Sequence, residues 1–412
     1  MAFSVPSVIQ IPEEYRGREQ TYIKHRVLNQ YIQSWAQKLA SVARQFGRVR
    51  IWYVDCFSGP WESGLTNHED TSIHIGLNAI QDAAAFWKIQ GYQIDLGAIF
   101  VEKDDEAYAR LQAYLISRKD QFQIQIHALH GEFGSKVAEI ERLIGNDPAF
   151  LFVDPTGWKG AAMKYIAPLA KKERRDVVVN VMYDHINRFK GSNLDYVRKQ
   201  LTEFFETEVS ADLSEEALFQ LYRDQLKRVC GLKYAADLTV EDPCRDRTKF
   251  RLVLGAHHHR ALELFRDVEK TVLGDETPRI RAAAKDADKF ERTGQYSLLP
   301  PRLPNEDLYG NLHQEALVEV ERRLPTILAV RGPQTFRTLA NEFLQELHLP
   351  VRDLGTLLGK WRSSGRLTVD GMRPREKTLK DSHVILAFYE AKIVAVPPSQ
   401  GNLFDALPGV GG

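Results

Sequence analysis

Apolar residues recur along this chain with two periods, and the changeovers divide it into elements. Over residues 20–46 the period is helical. Tyr22, Ile23, Val27, Tyr31, Trp35 and Leu39 share one stripe, while Lys24, Arg26, Gln30 and Gln33 face away. Short, nearly continuous apolar runs follow: VRIWYVD (49–55), LGAIFVE (96–102), FQIQIHAL (122–129), AFLFVD (149–154) and RDVVVNVMY (175–183). Helical stretches separate several of them, at 71–90, 104–118 and 136–144. Strands apolar on both faces, alternating with helices, predict a mostly parallel sheet covered on each side. The expected fold class is α/β, Rossmann-like and doubly wound.

A helical insertion is expected near 194–231. Two more strands, AADLTVED and KFRLVLGA, have a connection short enough for an antiparallel hairpin at one sheet edge, and a helix follows over 259–272. The pattern breaks at 296–311, where three prolines and a glycine read as a linker. Helices at 312–323, 335–347 and 351–363, then strands GRLTVDG and SHVILAFY, make a winged helix-turn-helix pattern over 312–392. The expected division is an N-terminal helical segment (1–48), an α/β domain (49–295), the linker, the winged helix and a Pro- and Gly-rich disordered tail (393–412).

Composition narrows the class without naming a function. The chain has 412 residues, enough for two or three domains. Its 55 Lys and Arg balance 55 Asp and Glu, which excludes a histone-like coat of nucleic acid but permits a local basic patch. Cys56, Cys230 and Cys244 have no CxxC spacing and read as reduced thiols. No basic leader precedes an apolar run, and no run reaches the roughly 18 residues needed to span a bilayer, so a cytoplasmic location is expected.

Chemistry concentrates at the ends of the predicted strands, where ligands sit in open α/β sheets. In IWYVDCFSGPWESG, Asp55 ends a strand and the loop from Phe57 through Gly59 to Gly64 turns sharply, its glycines admitting a close ligand. A dinucleotide site would place glycines as GxGxxG with an acid about 20 residues on. Here Trp61 stands at the middle glycine, and Glu102, ending the next strand, follows Gly59 by 43 residues. S-adenosylmethionine, lacking a pyrophosphate, suits this loop better, with Glu102 for the ribose hydroxyls and Asp55 for the amine. Gly131, Glu132 and Phe133, after the third strand, are candidates for the adenine.

After the fourth strand, Asp154-Pro155-Thr156-Gly157 is similar to the [DN]PP[YF] tetrad with which amino-group methyltransferases orient a target NH2. Thr156 and Gly157 depart from it, removing the second proline and the aromatic that would stack on a flipped base.

Taken together, TYIKHRVLNQYIQSW, YVDCFSGPWESG, FVEKD, FVDPTGWKG, YDHINRF, LGAHHHRALELF and the C-terminal pattern resemble the three-Cys-motif partner protein family. The resemblance runs from about residue 18 to 390. It implies a class I methyltransferase-like domain joined to a winged helix. It also implies association with a neighbouring phage-type protein carrying a three-cysteine motif, of the radical-adenosylmethionine kind. By position, Asp55, Gly59 and Glu102 fall on cofactor motifs and Asp154 on the reactive loop.

Three other features bear on function. His257, His258 and His259 are successive, so they cannot converge on one metal from a strand or helix, and a polar turn is expected. Residues 351–380 hold eight basic and three acidic side chains, and Arg352, Lys360, Arg362, Arg366, Arg373, Arg375 and Lys377 form a candidate phosphate-contacting face for DNA. In the tail, Gln400, Leu403 and Phe404 are similar to peptides that dock into a bacterial sliding clamp. Two functions are carried forward. One is an S-adenosylmethionine-dependent methyltransferase acting on nucleic acid or a partner protein. The other is a catalytically silent adapter of the same fold.

Overall fold

The computed structural model describes residues 11–59, 68–245, 247–295, 308–373 and 375–389. Helix α1 (Glu19–Ala40) and a short α2 (Ala43–Phe46) lead into β1 (Arg48–Asp55). The single helix expected over 20–46 thus divides, and Gly47, left-handed at φ 76°, turns the chain into the strand. There follow α3 (Ser72–Ile89), β2 (Gln93–Glu102), α4 (Asp105–Ser117), β3 (Gln125–His130), α5 (Phe133–Ile144), β4 (Ala149–Val153), α6 (Met163–Ala170) and β5 (Arg175–Val181). Then come α7 (Tyr183–Phe189), α8 (Asp195–Phe205), α9 (Glu215–Cys230), β6 (Tyr234–Glu241) and β7 (Thr248–Ala256). Several helices start where a side chain satisfies a free backbone N–H. Thr71, Asp104 and Ser214 cap α3, α4 and α9 in this way.

The sheet runs β3-β2-β1-β4-β5-β7-β6. Strands β1 to β5 are parallel, and β7 is antiparallel to both β5 and β6, so the expected hairpin closes one edge with its second strand innermost. The order reverses between β1 and β4, and that switch point leaves a crevice at the carboxyl ends of the strands. Side chains alternate between two cores. Ile51, Tyr53, Phe150 and Phe152 face the side of α1 and α3, whereas Trp52, Val54, Leu151 and Val153 face that of α5, α6, α8 and α9.

Helix α10 (His259–Glu269) does not stop at 272. It passes through a π-helical segment, Lys270–Glu276, into α11 (Thr277–Thr293), and Pro278, which has no N–H to donate, stands just after that segment. The remaining elements are α12 (Leu308–Arg331), β8 (Gln334–Thr335), α13 (Phe336–Glu346), α14 (Val351–Ser363), β9 (Leu367–Asp370) and β10 (Val384–Phe388). Helix α12 continues through Pro325, well past the expected 323, and the two residues of β8 are too few to show a period. Antiparallel β8-β10-β9 form a small second sheet.

This C-terminal unit shares one continuous apolar core with the α1 side of the large sheet. Arg266 on α10, almost fully buried, donates to the Leu344 carbonyl (2.8 Å) and to Glu269 (2.7 Å). The Gln345 side chain accepts from the Ala235 N–H of β6 (3.2 Å), and Lys270 pairs with Asp353 (2.8 Å). Among the described residues, no helix is long and apolar enough to cross a membrane.

Candidate functional site

A cleft of about 1000 Å³ opens at the carboxyl ends of β1 to β4. One wall is built from the loops that end the first three strands. Ser58 donates its N–H to the Val101 carbonyl (2.8 Å), laying the β1 loop against the end of β2. There Glu102 is nearly buried, with one oxygen held by the Asp104 N–H (2.7 Å). Its other oxygen lies against Gly59, so close that a Cβ on the glycine would collide with it. Gly131, at φ 138°, donates to the Glu102 carbonyl (2.9 Å) and carries the chain into Glu132 and Phe133. Phe133 packs beside Phe57 with ring centroids 5.6 Å apart. Phe57, Gly59, Glu102, Gly131, Glu132 and Phe133, expected in cofactor binding, all line this wall. Gly64 and Trp61 lie outside the described residues.

The two aspartates depart from expectation, for one reason. Asp55 continues the alternation of Ile51 and Tyr53, and so points toward α3 and away from the cleft. It is fully buried, accepting from Ser72 Oγ (2.7 Å), the Phe57 N–H (3.1 Å) and the Tyr53 hydroxyl (3.4 Å). Burial raises its pKa to about 6, against the hydrogen bonds from Ser72 and Phe57. Asp154 likewise continues the alternation of Phe150 and Phe152, and so meets α1. One of its oxygens binds Lys24 Nζ (2.5 Å) and the other accepts from the Asn180 amide (2.6 Å). Neither carboxylate forms part of the cleft wall.

Nor does the rest of the tetrad-like loop match the sequence expectation. Gly157 is left-handed at φ 98°, a backbone state that an aromatic side chain rarely adopts, and it faces His185. Pro155 is buried, and Thr156 alone of the four reaches the cleft. The aromatic at the cleft is Trp158, which packs edge-on against Phe189 (5.7 Å).

The opposite wall comes from residues the sequence reading passed over. Tyr165 on α6 and Gln200, Glu203 and Phe204 on α8 line it. Their spacing on α8 marks one helical face. Nothing local announces that this face folds back over the strand ends; α8 gains that position by packing on α6 and α9 through Val197, Leu201 and Phe205. The Gln200 side-chain oxygen and the Trp158 indole N–H are both buried without a hydrogen-bond partner among the described residues.

Elsewhere the histidines diverge. His257 bonds the Ala170 carbonyl (2.8 Å), His258 caps α10 through the Arg260 N–H (3.2 Å), and His259 approaches Glu263. On the C-terminal unit the seven basic candidates split. Arg362 holds the carbonyls of Glu376 (3.0 Å) and Arg373 (3.2 Å), and Arg366 pairs with Glu321 (2.5 Å) over the rings of Trp361 and Phe388. Both are internal props. Arg352, Lys360, Arg373, Arg375 and Lys377 are exposed. Gln400, Leu403 and Phe404 lie outside the described residues.

No protein-family model matches the chain. No curated protein matches its sequence. Solved structures do align with it at low identity. The O-methyltransferase TomG of Streptomyces achromogenes, in complex with SAM, is 12% identical, covering 54% of this chain and 79% of its own, with TM-score 0.29. An O-methyltransferase of Bacillus cereus with SAH is 9% identical, covering 54% and 80%, with TM-score 0.28. Protein LPL1258 of Legionella pneumophila is 10% identical, covering 60% and 92%, with TM-score 0.32. The chain's own strand order, with β7 antiparallel, makes its sheet a Rossmann-like one of the class I methyltransferase type.

Proposed function

We propose that the chain is an S-adenosylmethionine-dependent methyltransferase of the three-Cys-motif partner kind, and that its C-terminal unit is a winged helix. The observation that carries this reading is the Glu102–Gly59 contact at the switch point. An acid at the end of the second strand sits against a loop position with no room for a Cβ. That cradle fits a nucleoside-bearing ligand. Glu102 accepts hydrogen bonds from ribose hydroxyls, the backbone at Gly59 permits close approach, and Phe57 and Phe133 supply faces for a flat ring. When bound, S-adenosylmethionine supplies an electrophilic methyl group on a sulfonium.

The residues of this chain contribute position and exclusion of water, which can supply on the order of 7–11 kcal/mol of a barrier. Thr156 and Trp158 mark where an acceptor enters. Asp154, held by Lys24 and Asn180, keeps the reactive loop in place. The acceptor belongs to nucleic acid or to a partner protein with a three-cysteine motif, and exposed Arg352, Lys360, Arg373, Arg375 and Lys377 suit contact with a phosphate backbone.

The test is calorimetric titration of the purified protein with S-adenosylmethionine and S-adenosylhomocysteine, beside Glu102→Ala. Micromolar binding, weakened at least about tenfold by the substitution, is expected. Absence of binding at millimolar ligand would overturn the enzyme in favour of the adapter, which the engaged carboxylate of Asp154 otherwise suggests.

A further inference from the structure

The cleft is at the upper end of the roughly 300–1000 Å³ typical of ligand sites, and the glycine-lined wall around Glu102 accounts for one side of it. The opposite wall has its own chemistry. Gln200 and Glu203 stand at i and i+3 on α8, so they share a face. The Gln200 side-chain oxygen is buried with no partner among the described residues, a condition rare for buried polar atoms. Among the described residues Glu203 makes one ion pair, a loose one to Lys164 on the surface (3.7 Å). Trp158 is more than nine-tenths buried, and its indole N–H is likewise without a partner among the described residues. Aromatic rings flank these groups, with Tyr165 from α6 and Phe204 from the next position of α8. By contrast, both oxygens of Asp154 are occupied, and it faces the other side of the sheet.

We infer that the α8 wall is the acceptor subsite, and that it takes a flat nucleobase bearing an exocyclic amino group. An amino group offers two N–H donors, matching the Gln200 oxygen and the Glu203 carboxylate; a hydroxyl offers one. The indole N–H of Trp158 complements a ring nitrogen or carbonyl on the same base edge. The half-buried Tyr165 ring accepts the base face, an interaction open to any π system, so the amino group carries the selection. Glu203 and Gln200 thus hold the task that the sequence alone assigns to Asp154. The inference rests on the cofactor reading above and adds the acceptor class to it.

The test uses the full chain saturated with S-adenosylhomocysteine and measures binding of short single strands in matched pairs, oligodeoxycytidine against oligodeoxyuridine and oligodeoxyadenosine against oligodeoxyinosine. Members of each pair differ by an amino group replaced with a carbonyl. At least one pair is expected to show about tenfold preference for the amino base. Glu203→Gln and Gln200→Leu should each erase that preference while leaving S-adenosylhomocysteine affinity within about twofold of wild type. Asp154→Asn should keep it. Equal binding within both pairs, binding of neither, or a preference lost in Asp154→Asn but kept in Glu203→Gln would each overturn the α8 subsite. The binding of S-adenosylhomocysteine alone reports on the cofactor reading. If it fails, both ideas fall; if it succeeds while base preference is absent, only the subsite does. Because Glu203 is partly exposed, its glutamine variant keeps the fold, and a thermal melt checks this.

Discussion

The two sides of the sheet's carboxyl edge carry similar residues and do opposite things. On the α1 and α3 side, Asp55 and Asp154 are sealed into hydrogen bonds with Ser72, Lys24 and Asn180. On the α5, α6 and α8 side, Gln200 and Glu203 border a cleft that Glu102 reaches from the end of β2. An acid at a strand end is therefore not by itself a ligand-binding acid. Glu102 continues the alternation of Ala98 and Phe100, on the same face as Asp55, and still reaches the cleft, so what packs against the acid decides. On the α1 side a long helix lies close and brings its own lysine. On the α8 side the covering helix stands off and leaves room.

The sharpest break of this comparison is ligand binding to variants of the two kinds of acid. Glu102→Ala should weaken S-adenosylhomocysteine by at least about tenfold in calorimetry, whereas Asp55→Asn should change it by less than about threefold. The reverse ranking would return Asp55 to the site. Gly59→Ala probes the same contact from the other side. Its Cβ displaces the Glu102 carboxylate, and a loss of affinity similar to that of Glu102→Ala is expected with little change in melting temperature.

Next in size is a pH effect. The Asp55 carboxyl is raised by burial to about 6 in the folded protein, above the value near 3.9 of an unfolded chain. The folded state therefore binds the extra proton between those values. That contribution to stability is fully present below about pH 4 and lost as pH rises through about 6. At pH 8 Asp55→Asn should stabilise the protein by up to about 3 kcal/mol, and the gain should vanish near pH 4. Denaturant melts of both proteins across that range check it, and a gain independent of pH would count against the buried charge.

Lys24→Ala removes the ion pair of the largely buried Asp154 and leaves its hydrogen bond from Asn180, for an expected loss of about 1–3 kcal/mol. Adding Asp154→Asn should recover part of it, and additive losses in the double mutant would show the pair to be uncoupled. The smallest effects concern the C-terminal unit. Replacing Arg373, Arg375 and Lys377 with alanine should weaken DNA binding and flatten its salt dependence with the melt unchanged. Arg362→Ala should lower the melting temperature instead, because it ties the Arg373–Glu376 loop to α14.

Much of this protein could be read along the chain. Strands apolar on both faces and separated by helical periods determined a parallel, doubly covered sheet, and the short link between β6 and β7 determined the antiparallel edge. The glycine loop and Glu102 were legible as one wall of a site because strand ends and backbone freedom are local properties. Tertiary structure alone decided the rest. That Lys24, 130 positions before Asp154, would occupy its carboxylate depends on where α1 packs. That Gln200 and Glu203 would face the cleft depends on how α8 folds against α6 and α9. Local periodicity records which face of an element is apolar, but only packing determines which polar face it meets.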